Sequence, residues 1–277
     1  MAEAAPVNRE QLIAEIKSRA PWYQRITFPA QNVSTTDDPA DAYEDAAWDN
    51  VIGDISLGEA IILRPVPKWI EIRRVLPDMH GMTVLEIGSN CGFFSFEFAR
   101  AGAAHVYGID LADRWLSNAE FAKGVLGLTN VSFSKGDFMT MDFDESGPGH
   151  KGEALLNFDN KEVPLPTNVV DTIFMSTVLD HLFFPLFALY KMIRMARRYV
   201  IVDVPTYHGA AEKSVMKFTV APDGSHHGFV FTGDFLPEYI HRLGIPREDV
   251  QSAFYNSQRN VTLIVDVTKK APALVGA

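Results

Sequence analysis

The chain has 277 residues, 47% of them hydrophobic and 22% charged, with a formal net charge of −10. That length suits one α/β domain with an added cap, and the composition is ordinary for a globular fold. The acidic balance disfavours a nucleic-acid substrate, because duplex- and RNA-binding surfaces are usually basic.

A single cysteine, Cys91, excludes an internal disulfide. No run approaches ~20 apolar residues, so no membrane span is expected. The start, Met-Ala-Glu-Ala-Ala-Pro, lacks the basic and apolar pattern of a signal segment. A cytoplasmic location is expected on these grounds.

In chain order, Asn8 with Gln11 three residues on forms a capping-box pattern, and Leu12, Ile13 and Ile16 give the following helix one apolar face. Trp22 to Pro29 is aromatic and partly extended. Residues 30 to 50 are polar and acidic, a solvated loop or a lid. Ile61 to Leu63 leads to Arg64-Pro65, and a helix starts near Pro67 and closes at Pro77. Thr83 to Ile87 has the length and apolarity of a buried parallel strand. The loop Gly88-Ser89-Asn90-Cys91-Gly92 follows it, then a helix from Phe93 to Ala101. His105 to Ile109 is the second strand and ends at Asp110. Trp115, Ala119, Ala122 and Leu126 repeat at helical spacing.

Val131 to Ser134 is the third strand, closed by Gly136-Asp137-Phe138. Residues 142 to 165 read as an inserted hairpin or loop. Val169 to Met175 is the fourth strand, followed by Ser176-Thr177-Val178-Leu179-Asp180-His181. Pro185 opens a helix, and Tyr199 to Val204 is the fifth strand. Residues 206 to 233 hold Tyr207, His208, His226 and His227 among glycines, a second lid or a hairpin. Asp234 is the expected cap of a helix through Leu243. Val250 to Tyr255 and Asn260 to Val267 form an antiparallel pair.

Strand, glycine turn, helix and second strand together make the first half of a nucleotide-binding βαβ unit, with Gly88 and Gly92 expected to let the backbone approach a ligand. Asp110 stands ~20 residues past the turn, where such units hydrogen-bond ribose hydroxyls. A pyrophosphate-bearing dinucleotide calls for G-x-G-x-x-G; this loop has Asn90 in the second glycine's place and no third glycine. The acidic strand end at Glu86 suits a cation better, such as the sulfonium and amino groups of S-adenosylmethionine.

The segment resembles motif I of the class I S-adenosylmethionine-dependent methyltransferases, with Asn90 departing from their middle glycine. That resemblance implies a Rossmann-like α/β fold: a mostly parallel seven-stranded sheet, helices on both faces and an N-terminal helical cap. It implies S-adenosyl-L-methionine as cofactor and S-adenosyl-L-homocysteine as product. It places Glu86, Gly88, Ser89, Asn90, Gly92, Asp110, Leu111 and Ser176 against the cofactor, and Asp137 and Phe138 at the adenine. The span from Lys68-Trp69 through Arg73-Val75-Leu76-Pro77 to Gly88 is similar to the tRNA wobble-uridine carboxymethyltransferases, which adds Lys68 to the cofactor set and puts Arg259 near the transferred group. Those enzymes hold a carboxylated cofactor with a tyrosine and a lysine that are here Asp180 and Gln24. A carboxylate facing a carboxylate is unfavourable at low dielectric, so ordinary S-adenosylmethionine is expected.

Asp180 and His181 are the candidate catalytic residues, as base or as substrate-positioning groups. Tyr207 and His208 are weaker candidates, and no His/Cys/Asp spacing suggests a metal. Three functions stay open: methylation of a small-molecule acceptor on O, N or C; modification of tRNA, which the charge opposes; and cofactor binding without catalysis. A dehydrogenase is a fourth. The expected organisation is a helix and lid over residues 1–66, the Rossmann-like domain over 67–268, and a flexible tail over 269–277.

Overall fold

The computed structural model describes residues 8–43, 64–144, 147–149, 168–207, 214–220, 227–232, 234–254 and 260–270. Helix α1 (Arg9–Ser18) begins where Asn8 accepts a hydrogen bond from the Glu10 N–H at 3.0 Å, and it buries Leu12 and Ile16. After it come a two-residue ladder, β1 (Thr27–Phe28) with β2 (Val33–Ser34), and helix α2 (Val66–Val75).

The core alternates strand and helix, the pattern that builds a parallel sheet. The elements are β3 (Thr83–Ile87), α3 (Phe93–Arg100), β4 (His105–Asp110), α4 (Asp113–Leu126) and β5 (Val131–Lys135). A short hairpin, β6 (Asp142–Asp144) and β7 (Gly147–Gly149), precedes β8 (Val170–Ser176), α5 (Pro185–Met195) and β9 (Ala196–Tyr207). Then come a hairpin, β10 (Met216–Val220) with β11 (His227–Thr232), helix α6 (Phe235–Arg242), and the final pair β12 (Val250–Phe254) and β13 (Asn260–Asp266).

The main sheet runs β5-β4-β3-β8-β9-β13-β12, parallel through β9 and antiparallel over its last two strands. The expected Rossmann-like sheet is therefore present, and β11 and β10 extend it beyond the expected seven strands: β9 overruns to Tyr207 and pairs there with β11. Successive residues along a strand point their side chains to opposite faces, so two cores form. Leu85 and Ile87 pack with α5 and α6, whereas Val84 packs with the phenylalanines of α3 and with α1. The chain order reverses between β3 and β8, and the carboxyl ends at such a switch point form the crevice where ligands bind.

The expected Asp234 side-chain cap does not form; Asp234 accepts from the Ser214 N–H at 3.0 Å instead, tying the end of the hairpin down. Most of the acidic run after Tyr43, the insertion after residue 149, His208, His226, Arg259 and the tail from residue 271 lie outside the described residues. No described helix is long and apolar enough to cross a membrane.

Candidate active site

A cavity of about 230 Å³ opens at the switch point. Its walls are Gly88 and Asn90 of the glycine loop, Asp110 at the end of β4, Lys68 of α2, Ser176, Thr177, Val178 and His181 after β8, and Tyr23, Gln24, Arg64 and Pro65 of the N-terminal segment.

The loop is built by backbone conformation. Gly88, Asn90 and Gly92 all have positive φ, +73°, +51° and +89°. Asn90 thus does what the missing middle glycine would do, since asparagine tolerates the left-handed region. Its side-chain oxygen accepts from the Cys91 N–H at 2.8 Å. The Asp110 carboxylate clamps the loop, one oxygen accepting from Asn90 N–H at 2.8 Å and the other from Ala112 N–H at 2.9 Å. Gly88 lines the cavity and Gly92 does not, and packing within the protein constrains both. A Cβ on Gly92 would lie 2.6 Å from Phe133 Cζ and 2.8 Å from Phe96 Cζ, and one on Gly88 would strike the Val178 side chain. Protein packing requires these glycines directly.

The N-terminal segment closes over the loop. Gln24 is buried and its Oε1 accepts from the Phe93 N–H at 3.0 Å, supplying the first turn of α3 with a partner. Trp22 is fully buried and donates to Ile16 O at 2.9 Å, so it is core, whereas its neighbour Tyr23 reaches the cavity beneath the Arg64 guanidinium at 4.3 Å. Cys91 is buried, and its thiol is pushed up to about 12 by desolvation, which fits a space-filling role.

Lys68 sits on the wall in an ion pair that sequence reasoning missed. Its Nζ lies 2.5 Å from Asp203 Oδ2 and 3.2 Å from each of Ser176 Oγ and Thr177 Oγ1. Asp203 is fully buried in β9 and also accepts from Ser176, Asn260 and Thr262. The available signal was an acid between Val202 and Val204 in a strand buried on both faces.

Glu86 does not front the cavity. It alternates with Leu85 and Ile87, so it points at α3, where Ser95 Oγ donates to it, and burial pushes its carboxyl up to about 8. His181 does reach the wall, its side chain 56% exposed, while Asp180 stands behind it with Oδ2 3.5 Å from His181 Nε2. Burial pushes the Asp180 carboxyl up, and its Oδ1 is buried without a hydrogen-bond partner among the described residues. Asp180 therefore does not oppose an occupant directly, which removes the expected carboxylate–carboxylate clash.

Ser89, Leu111, Asp137 and Phe138 also lie off the cavity wall. Ser89 is fully buried, and Leu111 is 65% exposed beside Asp110. Asp137 is half-buried and accepts from the Met139 N–H at 2.8 Å. Phe138 is buried, and its carbonyl and that of Met141 accept from Lys191 Nζ at 2.5 and 3.0 Å. Lys191 thereby fixes the turn after β5 from below.

These residues fit a nucleoside bearing a cationic sulfur. An acid, Asp110, stands on the wall; of the cations there, Lys68 is paired with Asp203 and Arg64 lies over Tyr23, and the exposed apolar side chain of Leu111 follows Asp110. A family model described as a methyltransferase domain matches residues 78–217, half of the chain. Among solved structures, the N-terminal domain of EvdMO1, crystallised in the presence of SAH and D-fucose, is 15% identical over 96% of this chain and 98% of that one, with a TM-score of 0.61. A methyltransferase in complex with the Haloferax volcanii activator Trm112 is 14% identical over 73% of this chain and 90% of that one, with a TM-score of 0.52. At these identities the likeness is one of fold. No curated protein matches the chain.

Proposed function

This chain belongs to the methyltransferase-domain family and is an S-adenosylmethionine-dependent enzyme, and from that premise we propose that it methylates a small-molecule acceptor on O, N or C. The observation that carries the reading is one shared wall: Asp110 and the glycine loop meet Ser176, Thr177 and His181 around a single small cavity. When bound, the cofactor supplies a methyl group on a sulfonium for in-line displacement.

The protein's part is to bind and align. Asp110 accepts from the ribose hydroxyls with lone pairs left over from Asn90 and Ala112. The cavity, smaller than the ~300 Å³ at which ligand pockets typically begin, takes the amino-acid and sulfonium end. Leu111, and Asp137 and Phe138 in the turn after β5, would hold the nucleoside beyond Asp110. Tyr23, Gln24, Arg64 and Pro65 cap the cavity on one side and exclude water there. His181 faces the acceptor and takes its proton where the acceptor carries one, with Asp180 orienting the ring. Ordinary S-adenosylmethionine fits better than a carboxylated cofactor, because Lys68 is neutralised by Asp203 and Gln24 is uncharged and bonded to Phe93.

The net charge of −10 favours a small acceptor over RNA. The test is transfer from methyl-labelled S-adenosylmethionine to a metabolite extract and, in parallel, to total RNA. Label in a small-molecule fraction supports the proposal; label in RNA alone overturns it.

A further inference from the structure

A lysine on the wall of a site for a sulfonium sets like charge against like. Lys68 is only 7% exposed, so little water screens it. In a cavity of about 230 Å³ every wall group lies within a Debye length, about 8–10 Å, of the occupant. Left alone, the ammonium would repel the cofactor it borders.

Asp203 removes that conflict. Its carboxylate lies 2.5 Å from Lys68 Nζ, is fully buried, and forms no part of the cavity wall. Ser176 Oγ at 2.9 Å, Asn260 Nδ2 at 3.4 Å and Thr262 Oγ1 at 3.3 Å converge on it as well. With Lys68 that makes four donors, matching the lone-pair capacity of a carboxylate. The same residue grips the adjoining turn through its backbone, its carbonyl accepting from the Thr177 N–H at 2.8 Å. Thr177 has φ +50°, an uncommon conformation for a β-branched residue. The next side chain, Val178, closes against Gly88 of the cofactor loop.

We propose that Asp203 is the positioning residue that makes Lys68 compatible with a sulfonium: it cancels the ammonium's charge and fixes it to the Ser176–Thr177 turn. Asp203 acts through Lys68 and touches no ligand. The proposal rests on the S-adenosylmethionine reading of the cavity and adds to it the group that offsets one of the cations on the wall, Arg64 being another.

The test compares S-adenosylmethionine with S-adenosylhomocysteine, which lacks the methyl and the positive charge on sulfur and is otherwise the same. Their dissociation constants are measured by calorimetry on the full-length wild type, Asp203→Asn and Lys68→Met. In Asp203→Asn the ammonium stands uncompensated. The ratio Kd(S-adenosylmethionine)/Kd(S-adenosylhomocysteine) should rise about tenfold or more, because at an effective dielectric of about 20 one unit charge about 12 Å away already gives that factor. In Lys68→Met the carboxylate is left alone and attracts the cation, so the ratio should fall by a similar factor.

A pair that serves only structure weakens both ligands together. A ratio within twofold of wild type in both variants, or a shift in the same direction in both, overturns the proposal. If circular dichroism shows that Asp203→Asn does not fold, Lys68→Met decides alone, a lowered ratio supporting the proposal and an unchanged or raised one overturning it. If the wild type binds neither ligand, the cofactor reading falls and this proposal with it; binding by the wild type with unmoved ratios refutes the charge pairing alone.

Discussion

Replacing Asp110 by alanine removes two kinds of contact at once, and the structure separates them. The first kind is internal: the carboxylate accepts from Asn90 N–H at 2.8 Å and Ala112 N–H at 2.9 Å. Hydrogen bonds to a charged group contribute roughly 1.5–3 kcal/mol each when buried. Asp110 is half-buried, so solvent screening reduces their joint contribution to about 2 kcal/mol. In a chain of this size that corresponds to a drop in Tm of about 4–8 °C. The second kind is the proposed contact to the ribose, whose loss should weaken S-adenosylmethionine binding by about 1–3 kcal/mol, or roughly 5- to 150-fold. Calorimetry on wild type and variant measures the second, and thermal unfolding without ligand measures the first. A loosened loop alone would also weaken binding, so the same titration is run with an analogue lacking both ribose hydroxyls. The analogue should bind the two proteins almost equally, because the contact deleted from the protein is absent from the ligand too. Equal weakening of both ligands, or a cofactor Kd within twofold of wild type, would refute placing the sugar at the end of β4.

Other expectations follow from the same geometry. His181→Ala should lower methyl transfer about 10²–10⁴-fold if the imidazole takes the acceptor's proton, with the cofactor Kd nearly unchanged; single-turnover transfer to the acceptor found by labelling checks it. Gly92→Ala puts a Cβ 2.6 Å from Phe133 Cζ on a backbone with φ +89°, and left-handed strain plus overpacking should cost about 2–5 kcal/mol, read by urea unfolding. Glu86 has its folded carboxyl raised to about 8 by burial, so from its ordinary range near 4.5 up to about 8 the folded state binds more protons than the unfolded state and stability falls as pH rises. Glu86→Gln should flatten that slope, and denaturation midpoints at pH 5 and pH 8.5 report it. Cys91, its thiol raised to about 12 by burial, should resist a thiol reagent at pH 8 until the chain is unfolded in guanidinium.

The fold was largely legible because the β-strand runs are short, apolar and separated by helical patterns, which leaves few arrangements open. The turn at residues 88–92 was legible for a similar reason: two glycines and an asparagine are the residue types that tolerate positive φ. What packs against these glycines was not, since Phe133 of β5 and Val178 of the turn after β8 are 41 and 90 residues further along the chain than Gly92 and Gly88. The length of β9 and its pairing with β11 was missed because Pro205 reads as a strand end. It sits instead where β9 passes from pairing with β13 to pairing with β11, an interruption that proline tolerates. Asp203 was invisible for the opposite reason from Asp110. It lies inside an apolar strand, and its role exists only through Lys68, 135 positions earlier in the sequence.

The two acids that the sequence placed nearest the chemistry teach the same physical lesson. Glu86 neighbours the loop in sequence, and Asp180 neighbours His181, yet neither is on the cavity wall. In a strand the side-chain period is two, so an acid between Leu85 and Ile87 must face the opposite layer from them. Here that layer is α3, and Ser95 provides the hydrogen bond that burial demands. At Asp180 the short turn Leu179–His181 turns adjacent side chains apart, which sends the imidazole to the wall and the carboxyl inward. Both carboxyls are pushed up by desolvation, the opposite of what a group facing a cation in solvent would show. Attraction for a sulfonium therefore has to come from elsewhere. With Lys68 offset by Asp203, Asp110 is left as the carboxylate that fronts the cavity. The charge on the wall is thus set by Asp110, by the pairing behind Lys68 and by the Arg64 guanidinium over Tyr23, with no contribution from the acidic end of β3.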